Sequence, residues 1–316
     1  MSGERMRAVF MGSPDFAVPS LDALVESGRY RPTLVVSQPD RPRGRGQTVS
    51  PTPVRARAVE LHIPTITMEK SSYAEGVRAI AAEKPDVIVV VAFGMILKSD
   101  LLDMPPRGCV NVHASLLPKH RGVSPIQAAI LAGDEVTGCT TMLIDEGVDT
   151  GDILLQQETP VNTSDTAGTL FDRLAHIGAE LLVKTLDGIS DGSVKPKKQD
   201  DALATHTRKI KKTHGEIDWT KDAVHLARLV RAMTPWPSAY TTHNGKRLII
   251  EQASPQQTTI PHPPGTIVST DPLLVSCGNG TLEIHRVRPE GRKSMTTRDY
   301  VAGHPIAAGD RFGASD

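Results

Sequence analysis

Asn111 and His113 are the pair in this chain whose residue types and spacing could do chemistry. They alternate with Val110 and Val112, and side chains two apart on a strand share a face. The strand runs into Ser115-Leu116-Leu117-Pro118-Lys119-His120-Arg121-Gly122, whose proline and glycine read as a loop. An amide beside an imidazole at the carboxyl end of a strand is what acyl transfer needs. The amide can bind a developing oxyanion, and the imidazole can move a proton. Taken alone, such a pair is more often plain polar surface, so the reading depends on its surroundings.

Two other stretches carry candidate chemistry. Residues Asp145 to Asp152 hold four acids and two glycines. They lack the spacing and terminal Glu of a calcium loop, so a reverse turn presenting one buried carboxylate is expected. Residues Gln38 to Gln47 hold Arg41, Arg43 and Arg45 among two prolines and two glycines. That composition excludes a helix or strand interior and predicts an exposed, positively charged loop suited to an anion or a nucleic acid. Cys109, Cys139 and Cys277 are far apart, with no Cys-x-x-Cys pair. Neither a metal site nor a disulfide framework is expected, and each cysteine reads as a small buried hydrophobe.

The elements that must position these residues alternate between strand and helix. Strands are expected over Arg7–Met11, Thr33–Ser37, Asp86–Ala92, Cys109–His113, Thr137–Ile144 and Ile153–Val161, with Asp86–Ala92 central. Helices are expected from Asp15 or Ser13 (as cap) to Gly28, over Pro53–Leu61 and Tyr73–Glu83, from Ser124-Pro125 to Ala132, and from an Asp165 cap through Leu186. This order predicts a doubly wound, mostly parallel α/β sheet. Ligands bind outside the carboxyl ends of such strands at a topological switch point, which is where Phe93-Gly94 and the His113 loop should lie. The first turn, Gly12-Ser13-Pro14-Asp15, lacks the Gly-x-Gly-x-x-Gly dinucleotide fingerprint.

The 316 residues allow two domains. A helix over Ala223–Met233 and five short strands between Ala239 and Arg286 predict a smaller β-barrel of the oligonucleotide-binding (OB) type. The boundaries drawn are a first domain over 1–190, a basic linker over 191–208 and the barrel over 209–316. Apolar residues make up 39% of the chain, and net charge is zero. Residues 1–204 hold 21 Lys+Arg against 26 Asp+Glu, whereas residues 205–316 hold 15 against 10, so the second part suits a polyanionic partner. Lys209, Lys211 and Lys212 stand where it begins. The longest apolar run, Val87–Leu97, is too short to span a bilayer. With no apolar stretch of signal-peptide length over Met1–Phe10, a cytoplasmic protein without membrane contact is expected.

The chain resembles the methionyl-tRNA formyltransferase family. The matching stretches are Met11 to Ala17, Gln38 to Gly46, Val91 to Gly94, Asn111 to Gly122 with Pro125-Ile126-Gln127, Asp145 to Asp152, Ile217-Asp218-Trp219 and Pro235-Trp236-Pro237. Val123-Ser124 departs from two alanines common in the family. The resemblance implies transfer of a formyl group from 10-formyltetrahydrofolate to the amino group of methionyl-initiator tRNA, by a monomer without a metal. It implies Asn111, His113 and Asp149 as catalytic residues and Ser115, Leu116, Leu117 and Pro118 as folate contacts, joined by Phe93 and Gly94 at the switch point. It also implies Arg45, with Arg41 and Arg43, as tRNA contacts. A formyltransferase acting on a sugar nucleotide and a non-catalytic nucleic-acid-binding protein are the competing readings.

Overall fold

Apolar runs bounded by turn residues fold into two compact units in the computed structural model, which describes residues 6–43, 48–256 and 262–313. The first unit holds residues up to Pro125, Val136–Pro160 and Phe171–Thr207, and the second holds Ile126–Glu135, Val161–Leu170 and the chain from Arg208.

In the first unit the strands, in chain order, are β1 Ala8–Gly12, β2 Pro32–Ser37, β3 Arg41–Arg43, β4 Thr48–Ser50, β5 Thr65–Thr67, β6 Val87–Val91, β7 Cys109–His113, β8 Arg121–Gly122, β9 Val136–Leu143, β10 Ile153–Pro160 and β11 His206–Thr207. Seven of them form one sheet in the order β10-β9-β7-β6-β1-β2-β5. The run from β5 to β7 is parallel, and β9 and β10 add antiparallel pairs at one edge. The central strand β6, Val-Ile-Val-Val-Val, is buried along its whole length, as a parallel strand covered on both faces must be. The chain winds from β1 outward to β5 and then crosses back to β6 on the other side of β1. The switch point is therefore at the carboxyl ends of β1 and β6, which are Gly12 and Val91.

Helices α1 (Val18–Glu26), α2 (Pro53–Glu60), α3 (Tyr73–Ala82), α4 (Ser99–Leu102), α5 (Pro125–Ala132) and α6 (Ala167–Asp191) follow the strands. At Gly178 of α6 a Cβ would meet Val112 Cγ1 at 2.8 Å, so glycine lets this helix lie directly on β7. Val112 thus faces α6, and alternation sends Asn111 and His113 to the opposite face. Among the described residues no helix is long and apolar enough to cross a membrane.

Three local expectations need correction. Neither Ser13 nor Asp15 caps α1. A 3-10 turn over Asp15–Ala17 leads into the helix without a side-chain cap, and the Ser13 hydroxyl instead accepts the Gln38 N–H at 3.0 Å. The cap of α6 is one residue later than expected, at Thr166, whose hydroxyl takes the Thr169 N–H. Asp165 holds the turn before it through the Asn162 N–H and the Thr169 hydroxyl. The arginine-rich stretch is not free of strand, because β3 pairs antiparallel with β4 and Pro42 sits opposite Val49. A two-stranded ribbon has outward-facing edges, which is where a proline without an N–H is tolerated. Residues 44–47, and Arg45 with them, lie outside the described residues.

The second unit is an antiparallel sheet of β12 (Ala239–His243), β13 (Lys246–Gln256), β14 (Ile267–Thr270), β15 (Leu273–Ser276), β16 (Thr281–Pro289) and β17 (Met295–Thr296), with α7 (Ala223–Ala232) and α8 (Thr297–Gly303). The strand path is β12-β13-β16-β15-β14, with β17 on β16. Irregular register around Gln252 bends the long β13, so that its first half pairs with both β12 and β16. The last described residues join the two edges: Phe312 N–H donates to Gly265 O, Ile267 N–H to Asp310 O and Gly313 N–H to Thr242 O. Leu226, Val230, Leu248, Ile250, Val275, Leu282 and Ile284 are buried inside.

A polar element also lies in this core. His243 Nδ1 is 2.7 Å from the Tyr300 hydroxyl, and the ring meets Phe312 edge-on. Burial holds its pKa below the usual histidine value; Asp310 opposes this and His304 adds to it. Below about pH 6.5 the unfolded chain thus binds a proton that the folded state resists, and stability is lost as pH falls through that range. The melting temperature should fall on acidification from about pH 7.5 to about 5.5, less steeply in His243→Leu. An equal slope in the variant would remove His243 as the titrating group.

Candidate active site

Strand β7 delivers the two residues that opened the sequence argument. His113 is buried, Asn111 is half-buried, and they face away from α6. The β9–β10 connection leaves the sheet beside Cys109, where Ile144 N–H donates to Cys109 O, and folds back until Asp149 reaches His113. Asp149 Oδ2 accepts the Gly122 N–H at 2.7 Å and faces His113 Nδ1 at 3.6 Å. On the other side of the ring, His113 Nε2 is 3.0 Å from His120 O. Both ring nitrogens thus face oxygens, Asp149 Oδ2 on one side and His120 O on the other. The Asn111 amide has no hydrogen-bond partner among the described residues, which leaves its donors open for a ligand.

Backbone conformation at this edge is unusual. Ala92, His120 and Asp149 are three of the seven described non-glycine residues with positive φ, at 48°, 61° and 55°. Each such residue costs about 1–2 kcal/mol, so their gathering around one site marks it as over-determined by its surroundings. In the acidic turn, Asp145 Oδ1 accepts from the Gly147 N–H and the Thr150 hydroxyl. A Cβ at Gly151 would fall on the Leu143 carbonyl, so that position admits only glycine in this turn. Of the acids there, Asp149 is the one turned to the histidine, but its side chain stays part-exposed, not buried as expected.

The loop after His113 is fastened from β9 and β10. The Thr140 hydroxyl, fully buried, donates to Ser115 O at 2.7 Å and accepts the Leu117 N–H at 3.1 Å. Gln156 Nε2 donates to Leu117 O at 2.9 Å. The Ser115 hydroxyl is committed to Lys119 O within the loop, and Leu117 is buried, while Leu116 and Pro118 are half-exposed. Phe93 belongs to the apolar cluster with Met11, Val36 and Ile88, so its carbonyl, not its ring, meets the edge, where it takes the Gln38 amide at 3.0 Å. Gly94 follows with φ 79°. Burial pushes the Cys109, Cys139 and Cys277 thiols up to about 12, which leaves none of them as a nucleophile at neutral pH.

The remaining candidates are not gathered by the described structure. Arg41 is exposed on β3, and the backbone of Arg43 pairs with Thr48. Lys209, Lys211 and Lys212 are exposed in the second unit. Composition did not single out Thr140, Gln156 or the 197–207 segment. That segment, expected as linker, is laid along the first unit. Lys197 pairs with Ile153, β11 pairs with β8, and Gln199 Nε2 donates to Asp149 O and Gly151 O at 2.9 and 2.7 Å. A threonine or glutamine on a strand gives no sequence signal of its partner, because the partner is chosen by register.

Comparison with known proteins identifies the family. The family described as formyl transferase matches residues 6–186, and the formyl transferase C-terminal domain family matches residues 209–305. A methionyl-tRNA formyltransferase of Citrifermentans bemidjiense is 44% identical over 313 residues, covering 98% of each chain. One from Lachnospira eligens is 43% identical over 315 residues, covering 98% of this chain and 100% of the relative. Among solved structures, WlaRD, a sugar 3N-formyl transferase in the presence of dTDP and 5-N-formyl-THF, superposes with a TM-score of 0.66 at 20% identity over 92% of this chain and 100% of its own, a likeness of fold. Matched from end to end at such identity, the chain belongs to the methionyl-tRNA formyltransferase family.

Proposed function

We propose that this enzyme transfers the formyl group of 10-formyltetrahydrofolate to the amino group of methionyl-initiator tRNA, giving the N-formylmethionyl-tRNA used to start translation. The observation that carries the reading is the Asn111–His113–Asp149 cluster, where an unengaged amide stands on the same strand face as an imidazole backed by a carboxylate. Relatives that share over two-fifths of the sequence carry the tRNA enzyme's name, which favours this acceptor over a sugar nucleotide.

The residues act as follows. The amine's lone pair forms the new C–N bond at the formyl carbon, and the carbonyl oxygen becomes an oxyanion. The Asn111 amide donates a hydrogen bond to it, and the His113 ring adds a second by exchanging its Nε2 contact with His120 O for the oxyanion. The C–N bond to the folate nitrogen then breaks, and that nitrogen takes up a proton while the former amine gives one away. His113 is placed to move that proton, and Asp149 keeps the ring oriented with its charge opposed. Ser115 to Pro118, Phe93 and Gly94 border the edge where the folate would lie. Arg41, Arg43, Arg45, Lys209, Lys211 and Lys212 would contact tRNA phosphates.

The test is to mix the protein with 10-formyltetrahydrofolate and methionyl-initiator tRNA and look for formyl-methionine. Formylation of a dTDP-amino sugar in place of methionyl-tRNA would overturn the assignment. Asn111→Ala should lower turnover about 10²–10³-fold, and His113→Ala and Asp149→Asn about 10²–10⁴-fold, with folate binding largely kept. Near-normal turnover in any of the three would take that residue out of the mechanism.

A separate expectation concerns the cations. Each phosphate neutralised on duplex nucleic acid contributes about −0.9 to the log–log slope of affinity against salt. Replacing Lys209, Lys211 and Lys212 together with Ala should flatten that slope by about two to three units. Arg45→Ala should lower turnover on tRNA more than folate affinity, because it positions the acceptor end. Binding and kinetics at two salt concentrations read both effects; an unchanged slope and unchanged turnover would exclude these contacts.

A further inference from the structure

The acidic turn is held by a side chain from a distant part of the chain, and the way it is held bears on the chemistry. Both N–H groups of the Gln199 amide are used on one turn, on Asp149 O at 2.9 Å and Gly151 O at 2.7 Å. Its Oε1 accepts twice from Arg121, from Nε at 3.1 Å and Nη2 at 2.9 Å. Every hydrogen-bonding position of the amide is thereby filled. Arg121 is 3% exposed, and its other partner, the Asp201 carboxylate, has a side chain that is 83% exposed. An ion pair so wetted adds little, which leaves Gln199, itself half-buried, as the inner acceptor for this guanidinium. Arg121 also precedes Gly122, whose N–H donates to Asp149 Oδ2. The bonds close a ring that runs from the Asp149 carboxylate to Gly122, through Arg121 and Gln199, and back to the Asp149 carbonyl.

Without that ring two carbonyls, Asp149 O and Gly151 O, would converge with no donor between them, in a turn whose central residue already sits at φ 55°. The carboxylate is 3.6 Å from His113 Nδ1, beyond ordinary hydrogen-bond length. A small rotation of the turn therefore decides whether the carboxylate backs the imidazole.

We propose that Gln199, with Arg121 behind it, is the positioning pair that sets the Asp149 carboxylate against His113. The proposal rests on the formyl-transfer reading given above. Gln199 follows Lys195, Lys197 and Lys198, so the clamp on the acidic turn belongs to the basic segment that closes the first unit before the chain passes into the second at Arg208.

Gln199→Glu separates this role from a general structural one. Glutamate keeps, and strengthens, the acceptor for Arg121, yet offers no donor to the two carbonyls. Full-length wild type, Gln199→Glu, Gln199→Asn (one methylene too short to reach) and Asp149→Asn, alone and combined with Gln199→Glu, are compared for kcat, for KM with each substrate and for melting temperature. We expect Gln199→Glu to lose about 10- to 100-fold in kcat, in line with a misplacement near 1 Å, while both KM values and the melting temperature stay near wild type. Gln199→Asn should lose kcat to a similar extent, and it decides the matter if the glutamate variant does not fold. On the Asp149→Asn background, Gln199→Glu should add little further loss, because the group it positions is already disabled. Wild-type kcat in both Gln199 variants overturns the proposal. So does an undiminished loss on the Asp149→Asn background, or a loss that tracks melting temperature. A wild type that fails to formylate methionyl-tRNA would instead overturn the reaction itself, and this assignment with it.

Discussion

One carboxylate held from two sides governs the first unit. Asp149 must present Oδ2 both to the Gly122 N–H and to His113, and it does so from a left-handed backbone conformation on a connection that starts at the far end of β7. That conformation costs about 1–2 kcal/mol, and a net hydrogen bond returns about 0.5–1.5 kcal/mol. The turn is therefore stable only because several bonds converge on it, from Asp145, Gly122 and Gln199. The glycines at 147 and 151 follow from the same demand for a tight return, since a Cβ at either would meet atoms of the turn or of β9.

The other loops at this edge obey a related rule. A loop near a sheet edge carries backbone N–H and C=O groups that water cannot always reach, and each needs a partner. Thr140 and Gln156 supply those partners for Ser115–Leu117 from neighbouring strands, and Thr205 and Thr207 supply them for His120 to Ser124. The Asn111 amide thus stays free while the residues around it are tied down. Asn111, without a partner among the described residues, is the freest polar group on the strand and the one best placed to meet new charge.

The second unit solves a different problem. A small antiparallel sheet exposes two edges, and exposed edges invite pairing with other chains. Here residues 310–313 bond to β14 on one side and to β12 on the other. Trp219 stacks on Phe312, and its indole N–H donates to Thr241, which anchors that closing segment from within.

Periodicity and composition carried much of this architecture. The all-apolar Val87–Val91, the alternation of Cys109–His113 and the turn residues between them identify the strands, mark Val87–Val91 as central and place Phe93-Gly94 and His113 at carboxyl ends, because side-chain period and burial are local properties. The glycines marked a reverse turn at Asp145–Asp152, but which acid turns to His113, and that it stays part-exposed, no local pattern shows. Caps were less so: Ser13, Asp15 and Asp165 could each cap, and tertiary partners such as the Gln38 N–H decided otherwise. What the sequence could not show was the strap. Lys195 to Thr207 has the composition of a solvated linker, yet Gln199, Thr205 and Thr207 find their partners nearly eighty residues or more up the chain, at Arg121, His120 and Ser124. Such bonds depend on how two distant segments meet in space, which no local pattern encodes, and that meeting is what brings Asp149 to His113.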